Sequence, residues 1–220
     1  MTKSQIISFL KKTYLFGEVS AGKLATAAKF VKENTFEKSD IIFNEGEKGD
    51  TLHIIKKGTV KITKYTKDGK TKTLAILKEG DGFGEMALLT KEVRSATVEA
   101  LEKVVTVSIT KESFEYLIKR EPSISLQIIK SLSDRLAKAD RDIKNLALGD
   151  ANSRVAYVLM DFSEEMKVLK FTHQEIADLA GLTRETTTRT LRHMEKEKVI
   201  RIQDRKIKIS NLEKLKEMCL

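Results

Sequence analysis

Apolar residues between positions 41 and 109 come in short bursts cut by glycine. Residues 52–55, 60–62, 74–77 and 98–100, and the alternation of Val105, Val107 and Ile109, have the length and β-branched character of strands. Gly46, Gly49, Gly58, Gly69, Gly80 and Gly82 punctuate them. Asp68-Gly69 is a hairpin signal, and the polar run 64–72 is the expected hairpin tip. Many short strands with regular turns predict a sandwich or jelly-roll barrel, a β-roll. Residues 2–32 read as helical and are expected to pack on its outside.

The period then changes. Pro122, tolerated in a first helical turn, opens a helical pattern running to about Leu148. Ile129, Leu132, Leu136, Ala139, Ile143 and Leu146 recur at 3-4 spacing, the seam of a coiled coil with a second copy. An amphipathic helix lying on its own domain gives similar periodicity. The narrow seam, with Lys138, Asp140, Arg141, Asp142 and Lys144 around it, favours a homodimer. Gly149-Asp150 breaks the helix. A further helix is expected over 151–165, with a short strand near Leu169. The expected division is 1–120 for the β-roll, 121–148 for a dimerisation helix and 149–220 for a C-terminal domain, an α+β chain.

That last domain carries the clearest local grammar. Thr172, with Glu175 three residues on, forms a capping box for one helix, Gly181 ends it, and Thr183 is an N-cap for the next. Two strand-like pieces, 199–202 and 206–209 around Asp204-Arg205, complete a winged helix-turn-helix. At about 100° per residue, Arg184, Glu185, Thr188, Arg189 and Arg192 share one arc of the second helix. Leu191, Met194, Thr187 and Thr190 lie opposite. Arginine pairs bidentately with a guanine edge and glutamate accepts from cytosine N4, so this face can read bases. A solvated charged face is the bland alternative, and the capped helix with its glycine turn favours DNA recognition. Thr172 and Thr183 at the helix N-termini, and Lys206 and Lys208 on the wing, are the other candidate DNA contacts.

Composition agrees with an anionic partner: Lys and Arg number 41 against 32 Asp and Glu, a net charge of +9. The single cysteine, Cys219, excludes an internal disulfide framework and a cysteine-ligated metal or iron-sulfur cluster. His53, His173 and His193 are widely spaced, so no metal site is expected. No apolar run approaches a membrane span and residues 1–10 lack a signal peptide's apolar stretch, so a cytoplasmic protein with no membrane partner is expected. No nucleophile–base pair points to an enzyme.

Residues 82–96 carry chemistry beyond a strand connection. Gly84 permits close backbone approach to a ligand, and Glu85, Met86, Ala87 and the two leucines after them can form a helical turn whose free N–H groups favour an anion. Arg94 offers fork geometry suited to phosphate, Ser95 a hydroxyl, and Glu85 an acceptor for a ribose hydroxyl. An ordinary Glu85–Arg94 ion pair is the competing reading.

In this order of parts the chain resembles the cyclic AMP receptor protein and fumarate-nitrate reductase regulator family of bacterial transcription factors, over nearly all its length. The resemblance implies that Gly84, Glu85, Met86 and Ala87 hold ribose and phosphate of a cyclic nucleotide, with Arg94, Ser95 and Ala96 closing on the phosphate. Arg135 matches a family arginine near the ribose side. Arg184, Glu185 and Arg189 stand where cyclic AMP receptors read a TGTGA-type half-site. RNA polymerase is an implied partner, although the loop 163–170 is shorter than the one some members use to touch it. The iron-sulfur branch is excluded by the cysteine count, and a haem branch finds near the barrel only His53. One departure stands out: the family's cyclic AMP receptors bind the adenine amino group with a Thr-Ser pair, and Ala139-Asp140 occupies those positions here. Alanine cannot make that hydrogen bond, whereas Asp140 can accept from an amine. Cyclic AMP is the expected effector. The alternatives are a ligand-independent regulator with a vestigial pocket and a cyclic-nucleotide-binding module of an enzyme.

Overall fold

Thr2 starts the first helix, α1 (Lys3–Leu10), through a capping box in which Gln5 N–H donates to the Thr2 hydroxyl and Thr2 N–H to the Gln5 side chain. The computed structural model describes residues 2–66, 71–90, 92–163, 169, 171–203 and 206–219. After α2 (Ala21–Ala27) the expected helix through residue 32 gives way to a strand, β1 (Val31–Phe36). Its sequence, Val-Lys-Glu-Asn-Thr-Phe, conceals it. β1 lies at a sheet edge with a single partner and little burial, so few apolar residues are required of it.

The strands β2 (Ile41–Phe43), β3 (Thr51–Lys57), β4 (Val60–Tyr65), β5 (Thr71–Leu77), β6 (Gly82–Phe83), β7 (Thr97–Ala100) and β8 (Val104–Thr110) follow, with α3 (Glu85–Thr90) between β6 and β7. They form two four-stranded sheets, ordered β1-β8-β3-β6 and β2-β7-β4-β5. Thr51–Lys57 runs antiparallel to β8, with His53 opposite Ser108. Successive side chains on β3 point to opposite faces. Leu52 and Ile54 pack outward with Leu10, Phe16, Leu24, Phe114 and Ile124, while Ile55 joins Phe43, Val60, Phe83, Val98 and Val104. Both faces are buried, which is why residues 52–55 show a continuous run rather than alternation.

A helix the pattern did not disclose, α4 (Lys111–Arg120), is capped by Thr110, whose hydroxyl accepts the Ser113 N–H. Pro122 then begins α5 (Pro122–Leu148), 27 residues long. The chain divides into two compact units at Asp134/Arg135, inside this helix, with 71–73 counted in the second. Arg154 donates to Leu146 O at 2.6 Å and Gly149 O at 3.0 Å, covering carbonyls that the end of α5 leaves without helical partners. Asp150 restarts the chain as a cap, its carboxylate accepting the Ser153 N–H at 2.8 Å.

The second unit continues through α6 (Ala151–Ser163), α7 (His173–Ala180), α8 (Arg184–Lys196), the hairpin strands β9 (Ile200–Gln203) and β10 (Lys206–Ile209), and α9 (Leu212–Glu217). Val155, Leu159, Ile176, Leu191, Met194, Ile207 and Leu215 are buried as its core. Leu169 exchanges two backbone hydrogen bonds of 2.9 Å with Ile207. The α+β architecture is thus a β-roll, a long helix and a winged helix-turn-helix. The Asp68-Gly69 turn, the Asp204-Arg205 turn, the end of the 151–165 helix and most of the loop 163–170 lie outside the described residues.

Candidate functional site

The β-roll brings the expected cassette together. Gly84 adopts φ +86°, a conformation that glycine takes without steric cost, and hands the chain from β6 into α3. A Cβ there would sit 2.4 Å from Arg94 Nη1, so the glycine also makes room for the arginine. Arg94 is 3% exposed. Its Nη1 donates to Gly84 O at 2.8 Å, and its Nη2 to Thr51 O at 2.9 Å and Thr51 Oγ1 at 3.0 Å. The guanidinium carbon lies 4.1 Å from the centroid of the Phe43 ring. Nε–H is buried with no hydrogen-bond partner among the described residues. Burial lowers the Arg94 pKa, and the charges of Asp50, Glu47 and Glu85 oppose the shift. Arginine remains protonated at neutral pH all the same.

Glu85 and Ala87 are buried at the first turn of α3, Ala96 is buried beyond Arg94, and Met86 and Ser95 face outward, the Ser95 hydroxyl 3.7 Å from Met86 Sδ. Gly49 and Thr51 also belong to the site. A Cβ on Gly49 would meet Ala87 Cβ at 2.4 Å and Arg94 Nε at 2.9 Å. Sequence spacing offered Gly49 as a turn and gave no sign of Thr51, which lies 43 residues from its partner. Arg135, Ala139 and Asp140 belong to the second unit, Ala139 and Asp140 being exposed and Arg135 half-buried.

Along α5, Ile129, Leu136 and Ile143 are 60%, 65% and 64% exposed, and Ala139 is exposed as well. Leu126, at 66%, extends the row. Leu132 and Leu146, also expected in the seam, are half-buried on their own chain: Leu132 packs against the β-roll's helical core, and Leu146 reaches Gly181. The exposed row therefore follows Leu126, Ile129, Ser133, Leu136, Asp140 and Ile143, itself at 3-4 spacing.

In the second unit Thr172 and Glu175 form the capping box of α7, with Thr172 N–H donating to Glu175 at 2.6 Å. Gly181 ends the helix at φ +65°, and Thr183 caps α8 by accepting the Thr186 N–H at 3.2 Å. Thr187, Thr190, Leu191 and Met194 are buried, whereas Arg184, Glu185, Arg189 and Arg192 are exposed and Thr188 is half-buried. His173 lies 2.9 Å from the Thr188 hydroxyl. Desolvation first, then the charges of Arg184 and Arg192, lower its pKa. On the wing, Ile207 is buried while Lys206 and Lys208 are exposed. Arg201, opposite Lys208 on β9, adds a cation that the expectations omitted.

Among the described residues, no cluster of His, Cys, Asp and Glu could hold a metal ion, and no helix is long and apolar enough to cross a membrane.

The cyclic nucleotide-binding domain family matches residues 33–121, and the Crp-like helix-turn-helix domain family matches 153–218. The chain is 30% identical over 195 residues to the cyclic AMP receptor protein of Thermus thermophilus, covering 88% of this chain and 90% of that one. It is also 30% identical over 215 residues to a CRP-like cAMP-activated global transcriptional regulator of Mycobacterium tuberculosis, covering 94% and 96%. Among solved structures, a CRP/FNR-family transcriptional regulator from Thermus thermophilus aligns with TM-score 0.72 and 29% identity, over 85% of this chain and 97% of that one.

Proposed function

From a chain that belongs to the cyclic AMP receptor protein and fumarate-nitrate reductase regulator family, and is therefore a DNA-binding transcriptional regulator with a cyclic nucleotide-binding domain, we propose a homodimer controlled by cyclic AMP. One observation carries the effector reading: a buried arginine, hydrogen-bonded to Gly84 just before the first turn of α3, whose Nε–H has no hydrogen-bond partner among the described residues. A buried donor of this kind is costly unless an acceptor meets it, and a phosphate oxygen is such an acceptor. Arg94 would hold the cyclic phosphate, the N–H groups of Met86 and Ala87 would add donors, and Glu85 would accept from the ribose hydroxyl. The regulator of Mycobacterium tuberculosis is named as cAMP-activated, which favours cyclic AMP among the nucleotides.

The exposed row on α5 supports the homodimer, since four large apolar side chains in heptad register are each about two-thirds exposed. Two copies would present two α8 helices to half-sites one helical turn apart. Arg184 and Arg189 would each read a guanine, Glu185 a cytosine, and Arg201, Lys206 and Lys208 would meet phosphates. Contact with RNA polymerase would follow on the promoter. Nucleotide and DNA affinities would be coupled by the same factor in both directions.

A ligand-independent regulator is the second reading, and one observation favours it: both Nη atoms of Arg94 already donate to Gly84 and Thr51. Titration calorimetry with cyclic AMP, and cyclic GMP in parallel, separates the two. Micromolar binding by the wild type and its loss in Arg94→Ala support the effector reading. No heat with either nucleotide, alongside intact DNA binding, supports the second.

A further inference from the structure

The arginine does not end its own network. Thr51 and His53 lie two residues apart on β3 and so share a face, and Thr106 on β8 stands diagonally across from His53, being paired with Ile55. All three converge inside the roll. His53 Nε2 is 3.2 Å from Thr51 Oγ1, and His53 Nδ1 is 3.2 Å from Thr106 Oγ1. His53 is 8% exposed and Thr106 is fully buried. The imidazole stacks on Phe83 at 5.2 Å between centroids and 9° between planes, with Phe36 and Phe43 at its other sides. It cannot turn without displacing them.

The chemistry of the first member sets the direction of the first bond in this chain. A guanidinium has donors and no acceptor, so Thr51 Oγ1 accepts from Arg94 Nη2. The Thr51 hydroxyl keeps one proton and a second lone pair, so it can donate to His53 Nε2 or accept from it, according to the tautomer of the ring. In the tautomer with the proton on Nδ1, His53 donates to Thr106 Oγ1 and the four groups form one ordered relay: Arg94 to Thr51, Thr51 to His53, His53 to Thr106. A second proton on His53 would turn Nε2 into a donor facing the Thr51 oxygen and break the order. The relay therefore requires a neutral ring.

We propose that Thr51 and His53 are positioning residues for the anion site at Arg94, fixing the guanidinium through the Thr51 hydroxyl and so setting the affinity of the pocket for a nucleotide phosphate. The proposal rests on the reading of Arg94 as the phosphate ligand. A ring clamped by three aromatics holds the hydroxyl, the hydroxyl holds one edge of the guanidinium, and Gly84 O holds the other. Pre-organised donors bind better because no ordering is left to do on binding.

Two measurements on the protein test it. The first, without ligand, is the imidazole nitrogen–proton correlation NMR spectrum. The His53 ring of the wild type should show the Nδ1–H tautomer, and Thr51→Val should shift it to a mixture. An Nε2–H tautomer in the wild type, or a ring signature unchanged in Thr51→Val, overturns the relay whatever binds. The second is calorimetry with cyclic AMP. Thr51→Val and His53→Phe, which keep volume and stacking but lose the hydrogen bond, should each weaken binding about tenfold, the scale of one hydrogen bond to a charged group. Thr51→Ser should restore wild-type affinity. Thermal melts accompany each variant, and for a variant that does not fold the Thr51→Ser comparison and the NMR arm decide. Wild-type affinity in Thr51→Val, with Arg94→Ala inactive, overturns the positioning role and leaves the pocket reading standing. A wild type that binds no cyclic AMP while showing the Nδ1–H tautomer overturns both the pocket reading and the positioning role, and the relay is then structural.

Discussion

Leu136→Glu strikes the middle of the exposed row on α5. Leu126, Ile129, Leu136 and Ile143 are each about two-thirds exposed on the single chain. Pairing two copies removes eight such surfaces from water, on the order of 10 kcal/mol at about 1.5–3 kcal/mol per fully buried side chain. Association costs about 4–15 kcal/mol in lost freedom, so these contacts alone make dimerisation a close contest that any further burial settles. Replacing both copies of Leu136 by a carboxylate forfeits about a quarter of that burial and opposes two like charges across the seam. A loss of at least about 3 kcal/mol, roughly 100-fold in dissociation constant, is expected. Sedimentation equilibrium over a concentration series reads this directly. The wild type should be a dimer at micromolar concentration and the variant a monomer. A wild-type monomer, or a variant that dimerises as well as the wild type, refutes the reasoning. Leu132→Ala, on the side packed against its own core, should lower thermal stability more than it weakens the dimer.

Other expectations follow from the same geometry. His53 is held at about 4, below its ordinary 6.5, by burial and then by the charge of Arg94, against the pull of Asp50. Between those values the unfolded chain binds the extra proton, so stability present above pH 6.5 falls by about 3 kcal/mol as pH drops to 4. Urea melts at pH 7 and 4.5 should show this drop in the wild type and a smaller one in His53→Phe; equal drops count against a neutral buried ring. Arg184→Ala and Arg189→Ala should each cost about 1–3 kcal/mol and relax preference at one guanine, read by selection from a random duplex library. Glu185→Ala should lose selectivity for a C·G pair and keep non-specific affinity. Alanine at Arg201, Lys206 or Lys208 should weaken all duplexes alike and reduce the salt slope by about one per residue.

What was legible in the chain was whatever is written locally. The Thr172–Glu175 box, the Gly181 turn and the Thr183 cap each span a few residues, and the structure places all three where spacing put them. Strands β3, β4, β5, β7 and β8 were legible from β-branched runs; β2 and β6 are only three and two residues long, and β1 lies at an edge that demands few apolar residues. The phase of the α5 seam was harder to fix. Leu132 and Leu146 share the 3-4 spacing of the exposed row, and periodicity alone cannot tell which flank of a helix its own chain covers. The support of Arg94 was invisible for a different reason: Thr51 and Thr106 reach their partners across 43 and 53 residues, with no motif to join them. Helix α4 lay hidden between the last strand and Pro122, its polar surface masking Phe114 and Leu117.

The central claim is that nucleotide in the roll and sequence on the DNA are read by one dimer. Fluorescence anisotropy of a labelled palindrome with TGTGA and TCACA arms, against a scrambled duplex of equal length, with and without cyclic AMP at one salt concentration, tests it most directly. The account predicts tighter binding of the palindrome and a further gain of at least about fivefold with cyclic AMP, the scale of ordinary allosteric coupling. Identical isotherms for the two duplexes, unchanged by nucleotide, would contradict it.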